Sequence, residues 1–210
     1  MKITVIGAGN MGAAFVKQLT RAGHQVSVTA RDMRKAEQVA SANSGAVAVP
    51  TAGAADGAAA VILATGYGDA VVALRSVGDL KGKVVIDITN PLTPDYMGLT
   101  LGHDTSAAEE IAKAVPGAEV VKAFNTVFAQ ILTEGADLGD GRKVTVFIAG
   151  DTERGKQTVR SLAESIGFST VDAGGLKNAR YLEPLAGLNI YLGYGAGLGT
   201  KIAPTWQHAA

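Results

Sequence analysis

Cysteine is absent from the 210-residue sequence, which excludes disulfides, thiolate nucleophiles, iron–sulfur clusters and cysteine-based zinc sites. The sequence also has no excess of either charge, since 19 basic residues balance 19 acidic ones. A chain without net charge has no general electrostatic attraction to nucleic acid or to an anionic membrane, so we expect neither as a partner. The lack of cysteine fits a protein of the reducing cytoplasm, which is the location we expect.

Side chains typical of acid–base catalysis are also scarce. There are three histidines, and none has partners at the spacing of a catalytic triad or a metal site, so we expect no metal. We interpret His24 and His208 as surface residues and leave the role of His103, in a glycine-rich loop, more open. Glu109 and Glu110 are interpreted as solvated helix charges. An active site in this chain is therefore expected to work without an evident side-chain acid or base.

Long apolar runs are missing, apart from one nearly uncharged stretch at residues 185–203 that contains five glycines. A membrane-spanning helix needs about 20 apolar residues, and Asn189 and Lys201 interrupt this stretch, so a buried helix at a subunit interface or over the active site is favoured. The apolar run after Met1 is too short for a signal peptide, so we do not expect export. The C-terminal stretch predicts a homodimer, with its glycines at the closest approach of the two copies. The apolar side chains that would form this interface are Leu188, Ile190, Tyr191, Leu192, Tyr194 and Leu198.

Runs rich in valine and isoleucine alternate with alanine-rich amphipathic stretches along the chain, a pattern typical of repeated βα units around a mostly parallel sheet. Strands are expected near residues 2–6, 25–29, 46–49, 60–64, 83–88, 118–123, 144–149 and 168–171. Helices are expected near 10–22, 32–43, 67–77, 105–115, 152–166 and 178–197. We predict an α/β, Rossmann-type doubly wound sheet over residues 1–175 and a short helical extension over 176–210.

A glycine-rich turn follows the first predicted strand and opens the first predicted helix. It reads Gly7-Ala8-Gly9-Asn10-Met11-Gly12. In this context the pattern is a dinucleotide fingerprint, in which Gly7 allows the tight turn, Gly9 lets the backbone reach the pyrophosphate and Gly12 permits close packing of helix on strand. The helix N-terminus adds amide donors and partial positive charge. The sequence therefore predicts a phosphate-binding turn at residues 7–12.

The end of the second predicted strand indicates which dinucleotide is bound. A fold that prefers NAD usually has a carboxylate here, but this strand ends Thr29-Ala30-Arg31. The planar guanidinium of Arg31 suits a 2′-phosphate, with Arg34 and Lys35 close behind it. Asp32 could bind the ribose, although its place before a helix favours a cap, and the basic residues could also be an ordinary solvated helix start. NADP(H) is the expected cofactor.

Small or amide-bearing residues stand where the later strands end. They are Thr65, Asn90 with Pro91, and Asn125. Because ligands of an open parallel sheet lie outside the carboxyl ends of its strands, these residues are candidates to position a nicotinamide. Thr65 and Asn125 could equally be scaffold residues, whereas Asn90 is placed where an amide could orient the carboxamide.

Together these motifs resemble the family of coenzyme F-420-dependent NADP oxidoreductases, which act on a deazaflavin. The resemblance covers essentially the whole chain and includes Asn90-Pro91-Leu92, Lys122-Ala123-Phe124-Asn125-Thr126, Ala149-Gly150-Asp151 and Asn178-Ala179-Arg180-Tyr181-Leu182-Glu183-Pro184-Leu185. It implies a Rossmann domain with a small helical C-terminal part, commonly dimeric, and places Arg31 and Lys35 at positions that hold the 2′-phosphate. Ala30 stands where the family often has Ser or Thr, so one phosphate contact is missing.

The expected reaction is hydride transfer between NADPH and a planar acceptor, either a deazaflavin or a flavin. Two stacked rings need proximity and orientation rather than an acid or base, which fits the scarcity of catalytic side chains. One alternative is a small carbonyl or imine reductase related to β-hydroxyacid dehydrogenases, for which Lys201 is the one candidate lysine after Gly197. The other is a non-catalytic NADPH sensor.

Overall fold

The computed structural model describes residues 1–139 and 141–206, so His208 lies outside the described residues. Eight strands form one sheet in the order β3-β2-β1-β4-β5-β6-β7-β8. The strands are β1 (Lys2–Ile6), β2 (Gln25–Thr29), β3 (Ala46–Ala48), β4 (Ala60–Leu63), β5 (Val84–Asp87), β6 (Glu119–Lys122), β7 (Thr145–Gly150) and β8 (Ser169–Asp172). Neighbouring strands are parallel except β6 and β7, which are antiparallel. The predicted Rossmann-type, mostly parallel sheet is therefore confirmed.

Helices connect the strands. They are α1 (Asn10–Arg21), α2 (Met33–Ser41), α3 (Tyr67–Ser76), α4 (Ala107–Ala114), α5 (Ala129–Glu134), α6 (Glu153–Ser165) and α7 (Ala179–Ile190). Helix α5 was not predicted, because its six residues are too few to show a helical period. The predicted C-terminal helix is shorter than expected and ends in a π-helical turn at Tyr191–Gly195. Within the described residues, none of the helices is long and apolar enough to cross a membrane.

Both faces of the sheet are buried, which explains why its strands read as continuous apolar runs. Side chains of β4 alternate between two hydrophobic clusters, with Ile62 in one and Val61 and Leu63 in the other. The first cluster contains apolar residues of α1, α5 and α6, and the second contains residues of α3 and α4. The sheet is thus held between two helical layers.

The strand order reverses at β1, which pairs with β2 on one side and with β4 on the other. Because β1, β2, β4, β5 and β6 are all parallel, their carboxyl ends lie at one edge of the sheet. In folds of this type the crevice outside such a switch point is where ligands bind. This edge carries every strand-end residue singled out above.

Two of the glycines near the C-terminus, Gly193 and Gly195, have close neighbours within the chain itself. A side chain at Gly193 would come within 2.8 Å of the Phe128 ring, and one at Gly195 within 2.8 Å of Tyr191. Gly193 and Gly195 therefore allow close packing inside one protomer, whereas no atom of the described residues lies within 4 Å of a Cβ at Gly197 or Gly199, and the approach of two copies at the glycines stays a prediction. Leu188, Tyr194 and several of their neighbours remain more than half exposed.

Candidate active site

The turn between β1 and α1 is fixed by two glycines that no other residue can replace without a clash. Gly7 has a φ of 116°, and a Cβ there would lie 2.3 Å from the carbonyl oxygen of Ala64. A Cβ on Gly12 would lie 1.9 Å from the carbonyl oxygen of Gly7. The amide of Gly7 also donates to the carbonyl of Thr29 at 2.8 Å, which ties the turn to the end of β2.

Gly9 differs from these two glycines because, in the part of the chain that the structure describes, nothing lies within 4 Å of where its Cβ would be. It precedes α1 with extended backbone, and no side chain caps the helix there. The first-turn amides of α1 are therefore left to a ligand, and the open space beside Gly9 lets that ligand approach the backbone closely. This arrangement fits a pyrophosphate, and Asn10 and Met11 lie beside it in the wall of a cavity.

Among the charged residues after β2, some are bound by their neighbours in the chain and others are exposed and available to a ligand. Asp32 accepts a hydrogen bond from the amide of Arg34 at 3.1 Å and pairs with the Arg34 guanidinium at 3.2 Å, so the predicted helix cap is confirmed. Arg31 is 87% exposed and contacts Asp69 at 3.3 Å, an ion pair that solvent screens strongly. Lys35 is exposed and has no ion pair in the described part of the chain.

Thr29 and Ala30 are less available to a ligand than Arg31. The Thr29 side chain is fully buried, and its hydroxyl lies 3.1 Å from the Thr51 hydroxyl. Ala30 is half-buried against the core. Ala8, at the phosphate turn, also packs against the core. These residues therefore contribute backbone groups and packing, and not polar side chains, to the predicted phosphate sites.

A cavity of about 720 Å³ opens at the carboxyl ends of β1, β4, β5 and β6. It brings together Gly9, Thr65, Asn90 and Asn125, which were predicted separately from four places in the sequence. Pro91 is buried and does not line the cavity, and its carbonyl instead accepts hydrogen bonds from Thr100.

Asn90 and Asn125 bind each other at the floor of this cavity. The Asn90 amide nitrogen donates to the backbone carbonyl of Asn125 at 2.9 Å, and the Asn125 amide nitrogen donates to Asn90 Oδ1 at 3.0 Å. The Asn125 nitrogen also donates to the carbonyl of Leu182 at 2.9 Å. We call this pair of side chains the amide clasp. It links β5, β6 and α7 at one point.

Three buried polar atoms around the clasp have no hydrogen-bond partner among the described residues: Thr89 Oγ1, Asn125 Oδ1 and Thr126 Oγ1. All three residues line the cavity. Leaving a buried polar group unpaired costs about 1–3 kcal/mol, so such a group commonly marks where a ligand completes the bonding. An amide oxygen accepts hydrogen bonds and a hydroxyl can donate or accept them, so this set of groups is chemically complementary to a primary carboxamide, which has two N–H donors and a carbonyl acceptor.

The backbone turns sharply just before Asn125. Phe124 has a φ of 59°, a left-handed conformation that is unusual for a bulky residue. Its fully buried ring packs edge-on against Phe15 at 5.0 Å and Phe168 at 5.8 Å, and these contacts hold the strained residue in place. The turn at Phe124 thus presents Asn125 to the cavity.

The cavity mouth is aromatic. Tyr96, Met97 and Tyr194 line it and are each more than 45% exposed. The Tyr194 ring packs edge-on against Phe128 at 5.7 Å, which anchors the π-helical turn beside the opening. Exposed, flat apolar side chains at the entrance of a polar-floored cavity suit a planar aromatic ligand.

Tyr67 is a titratable group in the cavity wall that sequence reasoning did not single out. Burial raises the pKa of its phenol above the ordinary value, and nearby carboxylates add to the effect. Among the described histidines, neither lines this cavity, since His24 contacts Ser165 and His103 lies in a separate pocket beside Arg180. Tyr67 is therefore the side chain to consider if the reaction needs a proton donor.

Two other interpretations of charged residues change with the structure. Glu109 is not a solvated charge, because Arg180 donates to both of its carboxylate oxygens at 2.8 Å and holds the Glu109 pKa below its usual value. Lys201 pairs with Glu134 at 2.7 Å on the surface and is not in the cavity wall. Lys201 is thus removed as a candidate catalytic lysine.

Comparison with known proteins shows which family the chain resembles. The family model of NADP oxidoreductases dependent on coenzyme F-420 matches residues 2–91. The F-420-dependent NADP reductase of Methanothermobacter thermautotrophicus is 32% identical over 209 residues, which cover 91% of this chain and 89% of that protein. The crystal structure of a candidate F-420-dependent NADP reductase from Arthrobacter sp. FB24 superposes with a TM-score of 0.85 at 29% identity, covering 96% of both chains.

A relative of different size is the metalloreductase STEAP3 of Rattus norvegicus, which is 30% identical over 185 residues. The match covers 88% of this chain and 36% of STEAP3, so the chain spans about a third of that protein's length. The reductase from Methanothermobacter, by contrast, is matched over nearly all of its length. The chain belongs to the family of coenzyme F-420-dependent NADP oxidoreductases and is an NADP-dependent oxidoreductase.

Proposed function

We propose that this protein transfers a hydride between NADPH and a planar acceptor, with a deazaflavin of the coenzyme F-420 type as the leading candidate and a flavin as the next. The observation that carries the proposal is the cavity itself, whose wall includes Thr89, Asn125 and Thr126, each with a buried polar atom that lacks a partner among the described residues, and whose mouth includes Tyr96 and Tyr194. The identity of 32% to a reductase named for this acceptor supports the choice.

Each part of the dinucleotide has residues suited to it. The turn at residues 7–12 would hold the pyrophosphate, and Arg31 and Lys35 would hold the 2′-phosphate. Asn125, with Thr126 beside it, would bind the nicotinamide carboxamide, and the amide clasp would orient it. When bound, NADPH supplies a hydride, and a deazaflavin takes it up together with a proton from water.

The residues of this chain act by orientation and by excluding water. The amide clasp and the walls around Thr65 fix one ring, while Tyr96, Met97 and Tyr194 offer a flat surface for the second. Holding two reactants at the right distance and angle supplies a large part of a rate enhancement without a side-chain acid or base. We also propose that residues 176–210, which follow the dinucleotide-binding part, act as a cover for this cavity.

An acceptor screen tests the proposal. NADPH oxidation is followed with a deazaflavin, a flavin, a quinone and small carbonyl and imine compounds, in the wild type and in Tyr67→Phe. We expect turnover with the deazaflavin or flavin, changed less than about threefold by loss of the hydroxyl, because general acid catalysis is not needed there.

The same screen can favour the carbonyl or imine reductase, for which the half-buried phenol of Tyr67 in the cavity wall is the supporting observation. In that case Tyr67→Phe should lower the rate by about 100-fold or more, the range for a lost proton donor. Tight NADPH binding with no turnover on any acceptor would indicate the NADPH sensor instead.

Cofactor preference gives a second test. Arg31→Ala should weaken NADPH binding by about 10- to 100-fold, the range for a lost hydrogen bond to a charged group, and should leave NADH binding nearly unchanged. Arg75→Ala is the matched control, because Arg75 is an exposed arginine at the end of α3 whose guanidinium contacts the carbonyl of Ala114, away from β2. Calorimetric titration of both dinucleotides measures the effect. Equal losses for NADPH and NADH would show that Arg31 does not hold the 2′-phosphate.

We further propose a homodimer that packs through the C-terminal segment. Leu188, Tyr191, Tyr194 and Leu198 are each more than half exposed there, an apolar surface larger than a monomer usually leaves in water. Sedimentation at micromolar concentration should return the mass of two chains, and Leu188→Glu with Leu198→Glu should shift it to one. A monomeric wild type would contradict the dimer.

A further inference from the structure

A group of three charged side chains lies entirely buried beneath the amide clasp. Lys122 Nζ is 2.7 Å from Asp87 Oδ2 and 2.8 Å from Glu183 Oε1, and none of the three residues is more than 2% exposed. We call it the ionic cluster. Its members come from the ends of β6 and β5 and from the middle of α7, and none of them lines the cavity.

The ionic cluster holds the backbone of Thr89 from both sides. Lys122 Nζ donates to the Thr89 carbonyl at 2.6 Å, and the Thr89 amide donates to Asp87 Oδ1 at 2.8 Å. Thr89 lies beyond the end of β5, so charged side chains bind the segment where strand pairing has stopped. Its own hydroxyl is one of the unpaired atoms of the cavity, and the next residue is Asn90.

The ionic cluster also reaches the other half of the clasp. Glu183 accepts hydrogen bonds from the first amides of α4, at Ala107 and Ala108, and so joins α4 to α7. The residue before it is Leu182, whose carbonyl receives the Asn125 amide. Lys122 itself stands three residues before Asn125 on the same segment. The segments that carry Asn90, Asn125 and Leu182 are therefore each anchored by one of the three charged residues.

Stability alone does not account for such a group. A buried ion pair often adds little over well-packed apolar residues of the same volume, because removing charges from water offsets their attraction. Salt bridges of this kind do, however, permit only a narrow range of geometries. We therefore expect the ionic cluster to matter mainly because it fixes the position of Thr89 and of the amide clasp.

We infer that Lys122, Asp87 and Glu183 are positioning residues, which fix Thr89 and the amide clasp so that the cavity can seat the nicotinamide carboxamide. The inference rests on the proposed function, since it concerns the site assigned to the nicotinamide. It predicts that neutralising the ionic cluster loosens the nicotinamide end of the dinucleotide and leaves the adenosine end bound as before.

The test compares two ligands that share the adenosine end. The ratio of the dissociation constant of 2′,5′-ADP to that of NADPH reports what the nicotinamide half contributes to binding. The triple variant Lys122→Met, Asp87→Asn and Glu183→Gln removes all charge while keeping side-chain oxygens for the amides of Thr89 and Ala107. We expect this ratio to fall by about tenfold, corresponding to one or two lost hydrogen bonds, with 2′,5′-ADP affinity unchanged. The rate of a single turnover should fall with it.

A matched control distinguishes positioning from general loosening. Arg180→Met with Glu109→Gln removes a second ion pair that also joins α4 to α7 but lies away from the cavity, and it should leave both readouts at wild-type values. If the triple variant does not fold, Asp87→Asn alone should lower the ratio by about threefold.

The inference is overturned if the neutralised ionic cluster keeps both the wild-type ratio and the wild-type rate. A wild type whose ratio is near one and which reduces no acceptor would instead count against the proposed function. Failure of the inference is thus seen in the triple variant, whereas failure of the proposed function is seen in the wild type.

Discussion

Gly9→Ala should weaken NADPH binding by about 100-fold and leave the free energy of unfolding close to that of the wild type. Its φ of −82° and ψ of −169° are open to alanine, and no atom of the described residues lies within 4 Å of the new Cβ. The methyl group would instead occupy space beside the helix N-terminus that the pyrophosphate needs, a clash of about 1–3 kcal/mol that adds to the lost close approach to the backbone.

Gly12→Ala is the informative contrast. Its Cβ would lie 1.9 Å from the Gly7 carbonyl oxygen, so the turn or α1 must shift even without a ligand. We expect a loss of about 2–3 kcal/mol of stability together with loss of NADPH binding. Denaturant unfolding and dinucleotide titration of both variants measure the difference. Equal destabilisation by the two changes would contradict the assignment of Gly9 to the ligand and Gly12 to the fold.

Lys122→Met should destabilise the protein by about 3–5 kcal/mol, because it leaves the carboxylates of Asp87 and Glu183 buried without a cation. Denaturant midpoints at constant m-value give this quantity. The neutralised triple variant described above should recover most of the lost stability, since no charge then remains unpaired. A single variant as stable as the wild type would show that the ionic cluster is not as buried as its contacts indicate.

The fold was largely predictable because parallel strands buried on both faces produce valine- and isoleucine-rich runs that need no partner to be recognised. Even β3, at the edge of the sheet, begins at the expected residue. The antiparallel pairing of β6 with β7 was not predictable, because residue composition does not distinguish the two directions. Helix α5 was missed because it is shorter than two helical turns, and the π geometry of Tyr191–Gly195, inside the helix predicted at 178–197, has no signal in the sequence.

The candidate site was predictable for the residues that directly follow a strand. The rule that ligands bind at the carboxyl ends of strands placed Thr65, Asn90 and Asn125 at one edge, and the structure brings them into one cavity. The ionic cluster could not be found in this way, because Glu183 meets Lys122 only through the packing of α7 on the sheet. A lysine and an aspartate at the carboxyl ends of two short strands, each directly after apolar residues, were the one signal available in the sequence.

The central claim is that this cavity brings a nicotinamide and a planar acceptor together for direct hydride transfer. A single-turnover reaction with NADPH carrying deuterium at C4 tests it directly, with each of the two C4 stereoisomers used in turn. The account predicts that one stereoisomer passes its deuterium to the reduced deazaflavin without loss to water, and that Gly9→Ala suppresses the reaction. No reduction of deazaflavin or flavin by the wild type, or deuterium released to solvent, would contradict it.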